Sequence, residues 1–451
     1  MPETTEQPQT LRVAFIHPDL GIGGAERLVV DAAVGLQSHG HRVVVYTSHH
    51  DPSHCFEETR DGTLEVRVRG DKLIPRSILG KVSILCAILR SMQCAQALLK
   101  EEGENVDVIV CDQLSACIPI LRQSPAKIFF YCHYPDKLLT GRKGFLKSLY
   151  RLPFDWVEEY TTGCADRVVV NSEFTAGIFA EAFPRLTSMP LSVLYPGIRL
   201  EAYDRPLDRE DARVRPLIST RRTLLSINRF ERKKNIALAI HAYAKIFASG
   251  DKDTFSTKSS HRLVIAGGYD TRVSENVEYH QELISLAKTY GLSTSTLFPM
   301  SERDIPKEGA KVLETDVLFV PSFSDAQRTY LLGTSDLLLY TPSGEHFGIV
   351  PVEAMYARLP VLAVSDGGPT ESVVDGVTGW LRPPTTEAWA SVLDYYLTLD
   401  PSTIQDMGER GRERVQERFS LGSFVVRLDG LLQEMGMVNS VVVRVGGRGV
   451  G

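Results

Sequence analysis

Three features of the sequence predict an α/β chain of two mostly parallel-sheet domains facing across a cleft. Short apolar runs of strand length alternate with longer amphipathic runs of helical period. Glycine-containing turns join a strand to a helix at several points, and the pattern stops in a charged, proline-containing segment before starting again. The expected division is a disordered start over 1–10, a first domain over 11–204, a linker over 205–222, a second domain over 223–418, and a terminal helix and tail over 419–451 returning toward the first domain.

Composition fits this reading. A chain of 451 residues, 43% hydrophobic and 24% charged, with net charge −6, is of the soluble globular kind and lacks the basic excess of a nucleic-acid binder. Its seven cysteines are scattered through apolar runs without metal-ligand spacing, so they read as reduced core thiols in a cytosolic setting. No Asn-x-Ser/Thr acceptor occurs and the first ten residues carry no apolar signal core, so a lumenal location is not expected. No apolar run reaches the ~18 residues of a spanning helix. The run 82–89 between Lys81 and Arg90 reads as a buried helix.

In the first half, a strand over 11–16 leads into a loop holding Gly21, Gly23 and Gly24, then into the helical pattern Leu28, Val29, Ala32, Ala33, Leu36. Amides at such a helix start suit phosphate or acceptor hydroxyls, or the loop is simply a tight turn. The spacing departs from G-x-G-x-x-G and does not support a nicotinamide dinucleotide site. Runs over 41–46, 106–110 and 127–131 read as further parallel strands, whose ligands collect at their C-terminal ends. The last of them delivers His133 there. Between 137 and 156, Lys137, Arg142, Lys143, Lys147 and Arg151 interleave with Leu, Phe and Tyr and lead to Trp156. This reads either as an interfacial membrane segment or as a solvated helix with one core face.

In the second half, a strand over 223–228 runs into Arg229, Arg232, Lys233 and Lys234, cations that at a strand-to-helix crossing suit a diphosphate. A strand over 336–340 meets a turn holding Gly344 and Gly348, and Pro351 opens a helical run to 357. The amides of Phe347, Gly348 and Ile349 would form an anion site. Glu353, in the first turn, would be repelled by a phosphate and so would address neutral hydroxyls such as those of a ribose; Glu345 would address a second polyol. The plain alternative is a dipole-complementing acid and a loop acid, but the glycines, Pro351 and the strand agree on a site. Gly367 and Gly368, after a strand over 360–364, would add amides for the phosphates. The loop 321–324 could hold a base, 300–316 reads as a surface insertion, helices are expected over 400–418 and 424–435, and the tail 438–451 as mobile or membrane-associated. Asp251 and Asp253 form a D-x-D in a polar loop, read as coincidence, and no obligate metal is expected.

The spacing of Glu345 and Glu353 around Phe347-Gly348 resembles the E-x7-E element of the retaining, nucleotide-sugar-dependent glycosyltransferases of family four, which have two Rossmann-like domains in a GT-B type architecture. The resemblance implies that Glu345 addresses the donor sugar, Phe347 to Ile349 the phosphate and Glu353 the ribose. It also implies that Arg229 and Lys234 clamp the diphosphate and that His133 meets the donor sugar or the reaction centre. Segments 15–29, 130–136, 155–163 and 226–235 are similar to the branch that mannosylates dolichol-linked oligosaccharides, and the similarity runs from about Leu11 to Leu432. That implies GDP-mannose as co-substrate, with no obligate cofactor, and a dolichol-diphosphate chitobiose bearing one mannose as acceptor. Addition of an α-1,3- and then an α-1,6-linked mannose would take place at the cytosolic face of the endoplasmic reticulum membrane, with other mannosyltransferases of the pathway as partners and no nucleic acid. The sequence lacks the hydrophobic C-terminal anchor of longer relatives, so attachment would rest on 137–156 or on a partner. Two alternatives are a lipid-directed transferase using UDP-N-acetylglucosamine and a non-catalytic nucleotide-sugar-binding subunit; the intact set Arg229, Lys234, Glu345 and Glu353 argues against the second.

Overall fold

The structure, a computed structural model, describes residues 9–71, 74–77, 83–139, 145–247, 260–299 and 314–446. Arg142, Lys143, Asp251, Asp253 and most of the expected insertion 300–316 lie outside the described residues, and Lys147 is described only as backbone of the helix Phe145–Thr162. The chain divides into two compact units, Met1–Gly197 with Leu421–Gly451, and Ile198–Ser420.

The first unit is built on strands β1 (Arg12–His17), β2 (Arg42–Thr47), β3 (Glu65–Val68), β4 (Val108–Asp112), β5 (Lys127–Cys132), β6 (Arg167–Val170) and β7 (Leu191–Val193), all parallel in the order β3-β2-β1-β4-β5-β6-β7. Strands covered on both faces read as unbroken apolar runs, and β4 is buried from end to end. Alternate side chains serve the two faces. Val13, Phe15, Val110 and Phe129 pack with the helix Gly24–Ser38 and the helix Leu421–Gly446. Ala14, Ile16, Ile109 and Ile128 pack with Cys94, Ala95 and Leu98 of the helix Ser83–Glu102. That helix corrects the expected buried segment 82–89: Leu85 and Leu89 are exposed while Cys86 and Arg90 are buried, so it is amphipathic.

The helix Leu421–Gly446 belongs to the first unit and runs beyond the expected end at 435. Phe424, Val425, Leu428, Leu431, Leu432 and Met435 complete the core on that face. Gly35 lets it approach: a Cβ there would lie 2.2 Å from Val425 Cγ2. Asp429 meets His39 Nδ1 at 2.8 Å and His41 Nε2 at 2.9 Å. His41 Nδ1 accepts from the Leu11 amide (3.0 Å), so its Nε2 is the protonated nitrogen that donates to Asp429.

The second unit carries β8 (Arg222–Ile227), β9 (His261–Gly267), β10 (Thr294–Thr296), β11 (Val317–Pro321), β12 (Leu337–Tyr340), β13 (Val361–Val364) and β14 (Gly379–Arg382) in the order β10-β11-β9-β8-β12-β13-β14, again parallel. Strand order reverses between β8 and β12 here, and between β1 and β4 in the first sheet. In open parallel sheets the crevice for ligands forms at the C-terminal ends of such a pair. The expected linker 205–222 lies inside this unit because Val214 and Leu217 are buried in it, and Arg262 donates to the Leu217 carbonyl. The helix Pro401–Arg418 belongs to the second unit. Gly408 and Gly411 let it pack on Arg358 and Met355.

All seven cysteines are free, six of them buried. No helix among the described residues is long and apolar enough to cross a membrane.

Candidate active site

At the reversal point of the second sheet, the chain leaving β8 and the chain leaving β12 are tied together. A short 3-10 turn, Arg232–Lys234, ends in Asn235 with φ 49°, and Thr341 Oγ1 donates to the Lys234 carbonyl (2.7 Å). Lys234 Nζ thereby meets Glu345 Oε1 in an ion pair, while Tyr340 Oη donates to Glu345 Oε2 (3.3 Å). Both side chains are mostly shielded, 14% and 25% exposed. The other cations of the run separate by direction. Arg232 pairs with Glu278 and Glu282 on the helix Ser274–Thr289, and Lys233 with Glu231. Arg229 is 70% exposed, 3.4 Å from Glu231.

The glycines after β12 and β13 act mainly by letting two loops touch. A Cβ on Gly367 would lie 2.6 Å from the Glu345 carbonyl oxygen, and one on Gly368 2.2 Å from Phe347. The Gly368 amide donates to the Glu345 carbonyl (2.8 Å), so it is not offered to a phosphate as the sequence suggested. Gly348, with φ 79°, forms the N-cap of the helix Ile349–Tyr356 without a capping side chain, a conformation that favours glycine. Phe347 is buried with its ring 5.7 Å from that of Phe419, whereas Ile349 is exposed.

Glu353 is the fifth residue of this helix, in its second turn instead of the expected first. It is 9% exposed; Tyr203 Oη donates to its Oε1 (2.5 Å), and Arg328 Nη1 stands 3.8 Å from the same oxygen. Burial pushes the Glu353 carboxyl up, partly offset by Tyr203 and Arg328. Neither Tyr203 nor Arg328 is marked by the sequence: Tyr203 lies outside the strand–turn–helix motifs, and Arg328, on the helix Asp325–Thr334 after β11, has no spacing that singles it out. In the loop expected to hold a base, Ser322 donates to the Tyr269 carbonyl (2.6 Å) and Ser324 caps the helix Asp325–Thr334.

In the first unit, the ends of β1, β4 and β5 bring together three residues of which only His133 was anticipated. Asp112 Oδ2 lies 2.7 Å from His17 Nδ1, and Oδ1 lies 2.6 Å from His133 Nε2 at ion-pair distance. Burial disfavours the Asp112 anion, but His133 and His17 hold its carboxyl well below the usual range. Burial likewise opposes charge on His17, yet Asp112 and Glu26 raise it to about 9. The missed signal is position, since His17 and Asp112 are the last residues of adjacent parallel strands. In the glycine loop, Gly23 is the N-cap of the helix Gly24–Ser38, and a Cβ there would meet Glu26 Oε2 at 2.2 Å. An acid so close to this helix start weighs against phosphate and toward hydroxyls; around Gly24 there is open space and Gly21 has only van der Waals neighbours.

Arg151 does not belong to a membrane face. It is buried, donating to the Asp136 carbonyl (3.2 Å) and standing 3.6 Å from Asp155. Trp156 is exposed and stacks on Tyr160 at 5.5 Å; with Leu152 the two form a stripe at four-residue spacing, each more than half exposed. Among the described residues no three or more His, Cys, Asp or Glu are grouped to hold a metal ion.

The chain resembles known proteins over most of its length. Residues 22–202 match the family model Glycosyltransferase Family 4, and residues 208–414 match Glycosyl transferases group 1. The chain is 54% identical to the alpha-1,3/1,6-mannosyltransferase ALG2 of Rhizomucor pusillus, covering 95% of this chain and 92% of that protein. It is 47% identical to alpha-1,3/1,6-mannosyltransferase alg-2 of Neurospora crassa, covering 94% and 90%. Its fold matches sucrose-phosphate synthase from Thermosynechococcus elongatus with a TM-score of 0.70 at 19% identity, over 95% of this chain and all of the other. The two parallel-sheet domains are thus those of the GT-B glycosyltransferases, and the chain belongs to the alpha-1,3/1,6-mannosyltransferase family.

Proposed function

We propose that the protein transfers mannose from GDP-mannose to a dolichol-diphosphate chitobiose bearing one mannose, first in α-1,3 and then in α-1,6 linkage, with configuration retained. The observation that carries the residue assignment is the Lys234–Glu345 ion pair at the reversal point of the second sheet, beside an uncapped helix start. Lys234, with exposed Arg229, binds the diphosphate, and the helix start after Gly348 adds its amides with Phe347 and Ile349. When donor binds, Lys234 stabilises the charge developing on the leaving diphosphate, while Glu345 orients the mannose and stabilises its cationic anomeric carbon. The contacts of Glu353 fall on Oε1, which leaves Oε2 for a ribose hydroxyl. Gly367 and Gly368 hold the loop to the Glu345 backbone. The leaving phosphate oxygen takes the acceptor proton, so the reaction requires neither a dedicated base nor a metal.

His133 meets the donor sugar, and the loop with Gly21, Gly23 and Gly24 meets acceptor hydroxyls beside Glu26. The stripe Leu152, Trp156 and Tyr160 rests on the cytosolic face of the endoplasmic reticulum membrane. Purified protein incubated with GDP-mannose and the lipid-diphosphate trisaccharide, with products resolved by linkage, tests this reading. Two successive additions are expected. Turnover of UDP-N-acetylglucosamine instead, with none of GDP-mannose, would keep the fold and overturn the substrate.

A further inference from the structure

The strand ends of the first sheet hold a connected set of ionisable groups that the reaction scheme above uses only at one end. Register places it: Ile16 of β1 pairs with Cys111 of β4, and Asp112 with Tyr131 of β5, so His17, Asp112 and His133 follow one another along the C-terminal edge. The His17 and Asp112 side chains are each 1% exposed, whereas His133 is 24% exposed. From His17 the contacts therefore run outward to His133. On its other side His17 Nε2 lies 3.8 Å from Glu26 Oε1, a side chain 22% exposed whose carboxyl His17 holds below its usual range.

We propose that Asp112 and His17 are positioning residues for His133: the buried carboxylate, bridged between two imidazoles, turns His133 Nε2 toward the protein and leaves Nδ1 for the ligand. Each oxygen of Asp112 faces a different ring: Oδ2 shares a hydrogen bond with His17 Nδ1 (2.7 Å), and Oδ1 stands at ion-pair distance from His133 Nε2 (2.6 Å), an arrangement that favours the anion. The His133 carbonyl accepts from Asn171 Nδ2 (3.1 Å) and its ring rests against Tyr131 at 4.8 Å, so both the backbone and one ring face are held. His133 Nε2 is the buried nitrogen, and the contact it makes is the ion-pair approach to Asp112 Oδ1. A pair serving stability alone would need no member at the surface.

The groups around His17 set the charge balance. They are Glu26 from the helix Gly24–Ser38, Asp112 from β4 and His133 beyond β5. Nearby Tyr131 donates to the Leu194 carbonyl (3.0 Å) and is pushed up by burial, the Cys111 thiol is pushed up by its contact with Cys117 and by burial, and the Cys132 thiol by burial, so all three stay uncharged at neutral pH. The imidazolium of His17 offsets part of the Asp112 charge felt by His133. Removing the His17 charge exposes His133 to an uncompensated carboxylate, and removing the carboxylate releases the ring.

The inference rests on the proposed function only in taking the ligand at Nδ1 to be the donor. The test follows the His133 ring by NMR of ¹⁵N-histidine-labelled full chain, with its signal identified by loss in His133→Gln, alongside the pH profile of mannosyl transfer. At about pH 8 the His133 ¹⁵N shifts are expected to show the proton on Nε2 in the native chain, both tautomers in Asp112→Asn, and a displaced Nε2 signal in His17→Gln. The kcat of Asp112→Asn should fall roughly 10- to 100-fold with donor KM within about threefold, the pattern of a positioning residue. In His17→Gln the pH profile of kcat/KM should change. An unmoved His133 Nε2 signal in His17→Gln overturns the proposal, as does a kcat loss in Asp112→Asn with an unchanged tautomer. If Asp112→Asn does not fold, the Nε2 signal in His17→Gln decides alone. That signal is read without substrate, so a wrong donor assignment would fail separately.

Discussion

Glu345→Gln keeps the shape of the side chain and removes the charge that Lys234 meets. An ion pair in contact is worth roughly 4–5 kcal/mol at an effective dielectric of about 20, and desolvation of two mostly shielded groups returns most of it. The gross figure therefore shrinks to a net loss of about 1–2 kcal/mol, because Gln still accepts from Tyr340 and the Glu345 carbonyl still holds the Gly368 amide. For a unit of this size that is a fall in Tm of roughly 2–8 °C, well short of unfolding at assay temperature. Transfer should suffer far more, about 100- to 1,000-fold in kcat, since the carboxylate would face the developing positive charge of the sugar. Lys234→Met removes the other half of the pair, and a double-mutant cycle on both readouts separates the roles. Calorimetry and product formation from GDP-mannose measure them. A variant Glu345→Gln that transfers at the wild-type rate would remove Glu345 from the reaction. Loss of activity only in proportion to loss of folded protein would make the pair structural.

Three further outcomes are expected. Gly35→Ala should cost about 1–3 kcal/mol in urea unfolding, because the added methyl group would sit in the space of Val425, whereas Gly24→Ala, in open space, should cost far less. His17, raised from an ordinary 6.5 to about 9 in the fold, contributes about 3 kcal/mol that is fully present below pH 6.5 and lost as pH rises through 9; unfolding curves from pH 6 to 10 should show this decline, and His17→Gln should flatten it. Replacing Leu152, Trp156 and Tyr160 together by Ser should weaken sedimentation with phospholipid vesicles at least about tenfold without lowering Tm, as the three side chains are exposed.

The sequence is legible where one physical rule governs. Fully buried parallel strands such as β11, expected over 317–321 and found there, announce themselves as apolar runs between turns. Edge strands do not: β3 reads Glu-Val-Arg-Val with a partly exposed face, and β7 is three residues long. At the site, Lys234 and Glu345 were legible because each lies in a turn after a strand. The partners of Glu353 were not, because Tyr203 comes from an irregular segment and Arg328 from the helix Asp325–Thr334, far apart in sequence, and only the packed fold brings them to one carboxylate. The charge run from Arg229 to Lys234 shows the limit from the other side, since four cations look alike in sequence while local acids, Glu231, Glu278 and Glu282, engage Arg229, Arg232 and Lys233. Arg151 was misjudged for the same reason: Asp155, one helical turn on, and the Asp136 carbonyl draw it inward.

The helix Leu421–Gly446 has a consequence for how the protein is made. The first core closes only when Phe424, Val425, Leu428, Leu431 and Leu432 reach it, and these are translated after the whole of the second unit. A nascent chain thus exposes Val29, Ala33 and Leu36 on the helix Gly24–Ser38 through most of its synthesis, and the unit that begins first finishes last. Fragments ending before residue 421 should emerge with a folded second unit and an open, chaperone-binding first one. Premature stop codons late in the reading frame would then act by unsealing the N-terminal domain.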